Sequence, residues 1–198
     1  EVLDIFSAAG LKKPNLALLS DEFLSDIRLM PQKNLAVELL ERLLRDDIKS
    51  RFKSNVVQNH KFTDLLQKAL VKYRNRAIET AQVIEELIAM AKDFKAAAQR
   101  GEGLNLNPDE MAFYDALETN EASVRELGDD VLRKIAVELT DQLRRNLKED
   151  WSVREAVRAS LRLMVKRILR KYKYPPDLEH RAIDLVLQQA EILSEVWS

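Results

Sequence analysis

The chain has 198 residues, a formal net charge of -1, 33% charged residues and no cysteine. A chain of this length buries roughly 70% of its unfolded surface and needs no staple. Without cysteine, disulfides and thiolate metal sites are excluded, and the composition suits a reducing, cytoplasmic setting. No apolar run reaches about 18 residues, so no membrane contact by a spanning helix is expected. Leu3, Ile5 and Phe6 give way to Lys12, Lys13 and Pro14 too soon for a signal peptide. Because Glu1 rather than Met stands first, the chain reads as a piece of something longer. Four Gly, five Pro and few β-branched runs favour helix nearly everywhere.

Residues 1–31, broken at Gly10, Pro14 and Pro31, form an irregular leading segment with one short helix after Ser20. That helix carries Phe23, Leu24 and Ile27, with Ser20 as its N-cap. The remainder, 32–198, reads as a helical domain. Val37, Leu40, Leu44, Ile48 and Phe52 predict a helix over 34–54. A further apolar row, from Leu66 through Tyr73 and Ile84 to Ala91, begins near Thr63 and meets no breaker before Gly101. The pattern leaves open whether this is one helix or two kinked near Asn75. Residues 101–107 read as a loop. Asn107, Pro108 and Glu110 then supply the cap, first-turn proline and N3 carboxylate of a short helix holding Met111, Tyr114 and Leu117. Leu132, Ile135, Leu139 and Leu143 predict a helix over 130–148. Ser152 with Glu155 opens another that Pro175 and Pro176 end, and Asp177 starts the last, with Ile183, Leu187, Ala190 and Leu193 inward. The fold class is all-α, an irregular bundle of about six to eight helices.

Charge is segregated along this chain. Residues 49–76 hold 8 basic side chains against Asp64 alone; 77–143 hold 15 acids against 6 bases; 144–173 hold 11 bases against 3 acids. Either packed helices neutralise one another or two basic surfaces await a polyanion. The helix over 152–174 is the sharpest case. Val157, Leu161, Val165, Ile168 and Tyr172 share one side, while Arg158, Arg162, Lys166, Arg167 and Arg170 occupy the other. Leu163 lies near the centre of that basic side, where an apolar residue is out of place on a merely solvated face. Two-sided packing of a central helix is the expectation for Leu163, and docking of a partner the alternative. For the cations, ion pairing to the 77–143 segment stands beside contact with an acidic protein or with DNA phosphates. Lys72, Arg74 and Arg76 are the corresponding candidates in the first basic segment.

Catalytic chemistry is hard to assemble here. His60 and His180 lack a neighbour three or four residues away that makes a plausible metal pair, and two isolated histidines build no nucleophilic triad. Gly101 and Gly103 are followed by Leu-Asn-Leu-Asn rather than the Lys and Ser/Thr of a phosphate loop. Leu16–Glu22 imitates an apolar strand delivering two acids, as in the magnesium-binding element of ATP-driven motors, but Ser20 capping a helix with Asp21 and Glu22 in its first turn explains it. Pro108-Asp109 and Pro175-Pro176-Asp177 imitate the opening of a nuclease motif and read better as helix caps. No catalytic residue, cofactor-binding residue or metal ligand is expected.

Several stretches nevertheless resemble a known family: Gly10–Pro14 (GLKKP), Leu19–Phe23 (LSDEF), Pro31–Val37 (PQKNLAV), Arg74–Leu87 (RNRAIETAQVIEEL), Ala112–Leu117 (AFYDAL) and the block from Trp151 to Asp177. In this order they are similar to the C-terminal helical region of the restriction (motor) subunit of type I restriction–modification enzymes. The resemblance implies a parent polypeptide with a nuclease and two motor domains upstream of Glu1, using ATP and Mg2+ to translocate and cleave unmodified DNA. It implies the modification and specificity subunits of a methyltransferase core as partners, with duplex DNA as a further one. None of the family's catalytic motifs falls on these residues. The region is thought to hold the motor subunit on that core, so an assembly module is expected, with a DNA-backbone-binding domain as the alternative.

Overall fold

The computed structural model describes residues 20–119, 121–147 and 155–197. Among these are nine helices and no strand: α1 (Asp21–Leu29), α2 (Lys33–Arg51), α3 (Val56–Arg74), α4 (Thr80–Leu104), α5 (Pro108–Glu118), α6 (Glu121–Leu127), α7 (Asp129–Asn146), α8 (Glu155–Lys171) and α9 (Pro176–Trp197). The all-α expectation holds.

Local side-chain caps set three of the helix starts. The Phe23 N–H donates to Ser20 Oγ at 3.2 Å, and Asp21 and Glu22 occupy the first turn of α1, where the helix dipole favours anions. Residues 16–19 of that acidic stretch lie outside the described residues. Asn107 and Glu110 form the reciprocal capping box of α5, at 3.0 and 2.9 Å. The proposed Ser152 cap of α8 lies outside the described residues. One start was overlooked in the sequence: α3 begins at Val56 rather than near Thr63, because Asn55 Oδ1 accepts the Gln58 N–H at 3.1 Å.

Three helices end in one device, and none uses glycine for it. The Ala77 N–H reaches Lys72 O, Leu106 N–H reaches Gly101 O, and Tyr174 N–H reaches Leu169 O, each closing a turn through a residue in the left-handed region. Those residues are Arg76 (φ 51°), Asn105 (φ 53°) and Lys173 (φ 58°). The first turn resolves the Asn75 question: there are two helices. The second corrects the 101–107 loop. Helix α4 runs on through Gly101 and Gly103, since buried Leu106 folding back against the last turn, rather than the glycines, decides its end.

The chain divides into two compact units. One takes in the chain up to Arg51 with Asn59–Gln99, the other Phe52–Gln58 with the chain from Arg100 onward. In the first, Ile27, Leu40, Leu44, Leu66, Leu70, Ile84 and Leu87 are buried, and Phe62 and Phe94 meet edge to face at 5.2 Å. Arg28 forks onto Glu85 at 2.7 and 2.9 Å, and Lys72 pairs with Glu86.

In the second unit α5 takes the centre. Met111 through Leu117 are all buried, seven in succession, against α7 and α9. One of the seven is Asp115, only 3% exposed. Its carboxylate accepts from Asn55 Nδ2 at 2.7 Å and pairs with Arg100 at 3.1 Å; Arg100 also contacts Glu118. Burial pushes the Asp115 carboxyl above the ordinary carboxylate range, against the pull of Asn55 and Arg100. Gln189, fully buried on α9, accepts the Val56 N–H at 2.9 Å and donates to Ser54 O. Segment 52–58 is thereby fastened by side chains from α5 and α9. At the far end, Asp109 accepts from Trp197 Nε1 at 2.8 Å and from Arg144 at 3.2 Å, with the guanidinium over the indole.

A Cβ on Gly103 would meet nothing within 4 Å, whereas one on Gly101 would lie 3.1 Å from the Leu106 carbonyl oxygen. Gly103→Ala is therefore expected to raise unfolding stability by about 0.5 kcal/mol, and Gly101→Ala to give less or reverse the sign, checked by urea titration. The raised Asp115 value has a defined sign: the stability gained from its proton is full below about pH 4 and is lost as pH rises through the folded value. Asp115→Asn removes this loss, so the stability difference between variant and wild type should move in the variant's favour from about pH 4 to 7. A difference flat in pH would contradict the assignment.

Candidate docking face on the basic helix

Helix α8 buries Leu161, Val165, Ile168 and Leu169, half-buries Val157 and Met164 against the same core, and exposes most of its remaining side chains. Its C-terminal end is fastened on both sides. Lys171 Nζ donates to both oxygens of Glu138 on α7 at 2.9 Å, and Tyr172 Oη donates to Glu138 Oε2 at 2.6 Å. That hydrogen bond to Glu138 raises the Tyr172 hydroxyl. Burial alone would raise Glu138, but Tyr172 and Lys171 together hold it below its ordinary value. Tyr174 Oη donates to Leu117 O at 2.9 Å, tying the turn after α8 to α5. On the opposite flank, α9 contributes Glu179 and Asp184. Glu179, itself buried, lies 3.2 Å from Arg170 and 3.8 Å from Lys166, and Asp184 lies 2.8 Å from Arg162.

The expected ion pairing therefore exists, but with a different source. Among the described residues, only Lys171 of α8 finds a carboxylate in the 77–143 segment; Arg162, Lys166 and Arg170 are met by the last helix. The acids of 77–143 are engaged elsewhere within their own units, as in Lys72–Glu86, Arg100–Asp115 and Arg144–Asp109. Arg158 and Arg167 have no carboxylate within 4.0 Å among the described residues. The exposed Arg162–Asp184 pair contributes about 0–1 kcal/mol, so it leaves Arg162 open to exchange its partner.

Two-sided packing does not hold for Leu163, which is 62% exposed. The helix contacted all round is α5; with that place taken, α8 lies at the surface of its unit and buries one stripe only. Along its outer side run Ala156, Ala159, Ser160, Leu163, Arg167 and Arg170, all exposed.

The other candidates belong to the first unit. Lys72 is paired to Glu86 at 2.9 Å. Arg74 and Arg76 have no carboxylate within 4.0 Å among the described residues and border a cleft of about 660 Å³ with Asn34, Tyr73 and Glu79. Sequence reasoning missed two partners that spacing could have offered. Both histidines have an aspartate four residues on, and His180 Nδ1 lies 3.2 Å from Asp184 Oδ2. No third ligand joins them: among the described residues no group of three His, Asp or Glu side chains could hold a metal ion. Nor is any helix among them long and apolar enough to cross a membrane.

Residues 1–196 fit the family described as type I restriction enzyme HindI endonuclease subunit-like, C-terminal, and the chain belongs to that family. Over 194 residues, 98% of the chain, it is 40% identical to the type I restriction enzyme HindI endonuclease subunit of Haemophilus influenzae. Over 172 residues it is 35% identical to the putative type I restriction enzyme MjaIXP endonuclease subunit of Methanocaldococcus jannaschii. The chain spans 18% and 16% of these relatives' lengths. No solved structure matches it significantly.

Because Leu163 projects from the surface while Val165 is fully buried, Leu163→Ser should change stability by less than about 0.5 kcal/mol. Val165→Ala should cost about 1–3 kcal/mol. Thermal unfolding of the two variants checks the assignment of inner and outer faces.

Proposed function

We propose that this chain is a non-catalytic helical module that holds the motor subunit of a type I restriction enzyme on its methyltransferase core, the assembly of modification and specificity subunits. The observation that supports it is the outer face of α8, where exposed Leu163 is surrounded by Arg162, Lys166, Arg167 and Arg170. An apolar centre with a charged rim is the arrangement of a protein interface. On this reading the parent polypeptide is an ATP-dependent translocase and endonuclease acting in the cytoplasm. ATP and Mg2+ belong to its other domains, and no residue of this chain is given a part in holding them. Mixing the chain with purified methyltransferase core in a calorimeter should give a Kd of about 10 µM or tighter. No heat of binding at concentrations several-fold higher overturns the reading.

A second reading, a track along the backbone of duplex DNA, is favoured by one observation: Arg74 and Arg76 lie together at the end of α3 without a carboxylate partner among the described residues. Affinity would then fall with nearly one power of salt concentration per phosphate contact. Arg74→Glu with Arg76→Glu would flatten that slope by about two.

A further inference from the structure

The outer side of α8 is graded along its length. At 100° per residue, Ala156, Leu163, Arg167 and Arg170 fall within about 60° of arc, opposite the buried stripe of Leu161, Val165, Ile168 and Leu169. Ala159 and Ser160 border this arc toward the N-terminal half. The strip spans about 21 Å, four turns. One half is small and uncharged, the centre is a leucine, and the other half is cationic. Charge on the face is unbalanced. Asp184 answers Arg162, and Glu179 is shared by Lys166 and Arg170, while Arg158 and Arg167 have no carboxylate among the described residues. Arg158 falls beside the buried stripe, and exposed Glu155 stands at the N-terminal end. On the C-terminal half, Arg162, Lys166, Arg167 and Arg170 thus face Glu179 and Asp184, an excess of about two positive charges that calls for an anionic occupant there.

Duplex DNA fits this strip poorly. Phosphates can use Arg167 but not Leu163 or the small lane beside it, and Glu179 and Asp184 would stand next to them as like charges. A helix fits each part. Small residues let a second helix axis approach to about 8 Å, Leu163 inserts between its apolar side chains, and carboxylates one and two turns further on reach Arg167 and Arg170. Resting on the docking function proposed above, we infer that the occupant of α8 is an acidic amphipathic helix of the partner protein, lying along the strip with its carboxylates toward the Lys171 end.

The test uses the whole chain and three probes by fluorescence anisotropy: a synthetic helix of about 20 residues with a leucine stripe flanked by glutamates, the same peptide with lysines for glutamates, and a duplex of about 20 base pairs. The acidic peptide should bind and the basic one should not. Leu163→Ser and Arg167→Glu should each weaken the acidic peptide about tenfold, with melting temperatures unchanged because both positions are exposed. No binding of the acidic peptide, or binding indifferent to both variants, overturns the inference. So does duplex binding weakened by Arg167→Glu but not by Leu163→Ser. Purified methyltransferase core separates the two proposals. If it binds wild type and both variants alike, α8 is not the docking face while docking itself stands. If it fails to bind where the acidic peptide succeeds, docking to the core falls and the chemistry of the face stands.

Discussion

The second unit is organised by the burial of α5, and above all by the one carboxylate that burial includes. Seven successive residues of a short helix, Met111 to Leu117, lie inside, so α5 has no solvent face from which Asp115 could reach water. A buried carboxylate is tolerated only with partners. Those partners, Asn55 and Arg100, lie in sequence on either side of Asn59–Gln99, the segment that belongs to the other unit. Asn55 meets two needs at once: its oxygen caps α3 and its amide holds Asp115. Gln189 does the complementary work on the neighbouring backbone.

That central helix also decides what α8 can be. An interior helix of a small bundle is apolar on all sides, and α5 has that place. Helix α8 is left at the surface, held at its end by Glu138, Tyr172 and the turn through Lys173, and flanked by α9. Its end and one side are thus held by neighbouring helices while its far face carries an exposed leucine.

Electrostatically the chain is nearly neutral, yet its faces are not. Five acids of the 77–143 segment are engaged within their own unit by Lys72, Arg100, Arg144 and Lys171. Among the described residues, the cations that share a carboxylate or have none within 4.0 Å include Arg167 and Arg170 on α8 and Arg74 and Arg76 at the end of α3. Charge order along a chain gives the total available for pairing; only the fold decides which cations are left over.

Much of this was legible in the amino-acid order alone. Helical class, the Ser20 and Asn107 caps, the inward rows of α2, α7 and α9 and the basic side of α8 follow from interactions spanning three or four residues, which local sequence states directly. The family followed from run-on similarity. Other features needed the folded chain, because they join residues far apart: Asn55 with Asp115, Arg162 with Asp184, Gln189 with Ser54. The helix ends at Arg76, Asn105 and Lys173 were hidden for a related reason. Each adopts a conformation that favours glycine, and what holds it there is the returning chain and, after α4 and α8, burial of Leu106 and Tyr174, not its own side chain. The sequence by itself determined that α8 would carry cations around a leucine. Tertiary structure alone decided that the leucine faces water, because the central place in its unit went to α5.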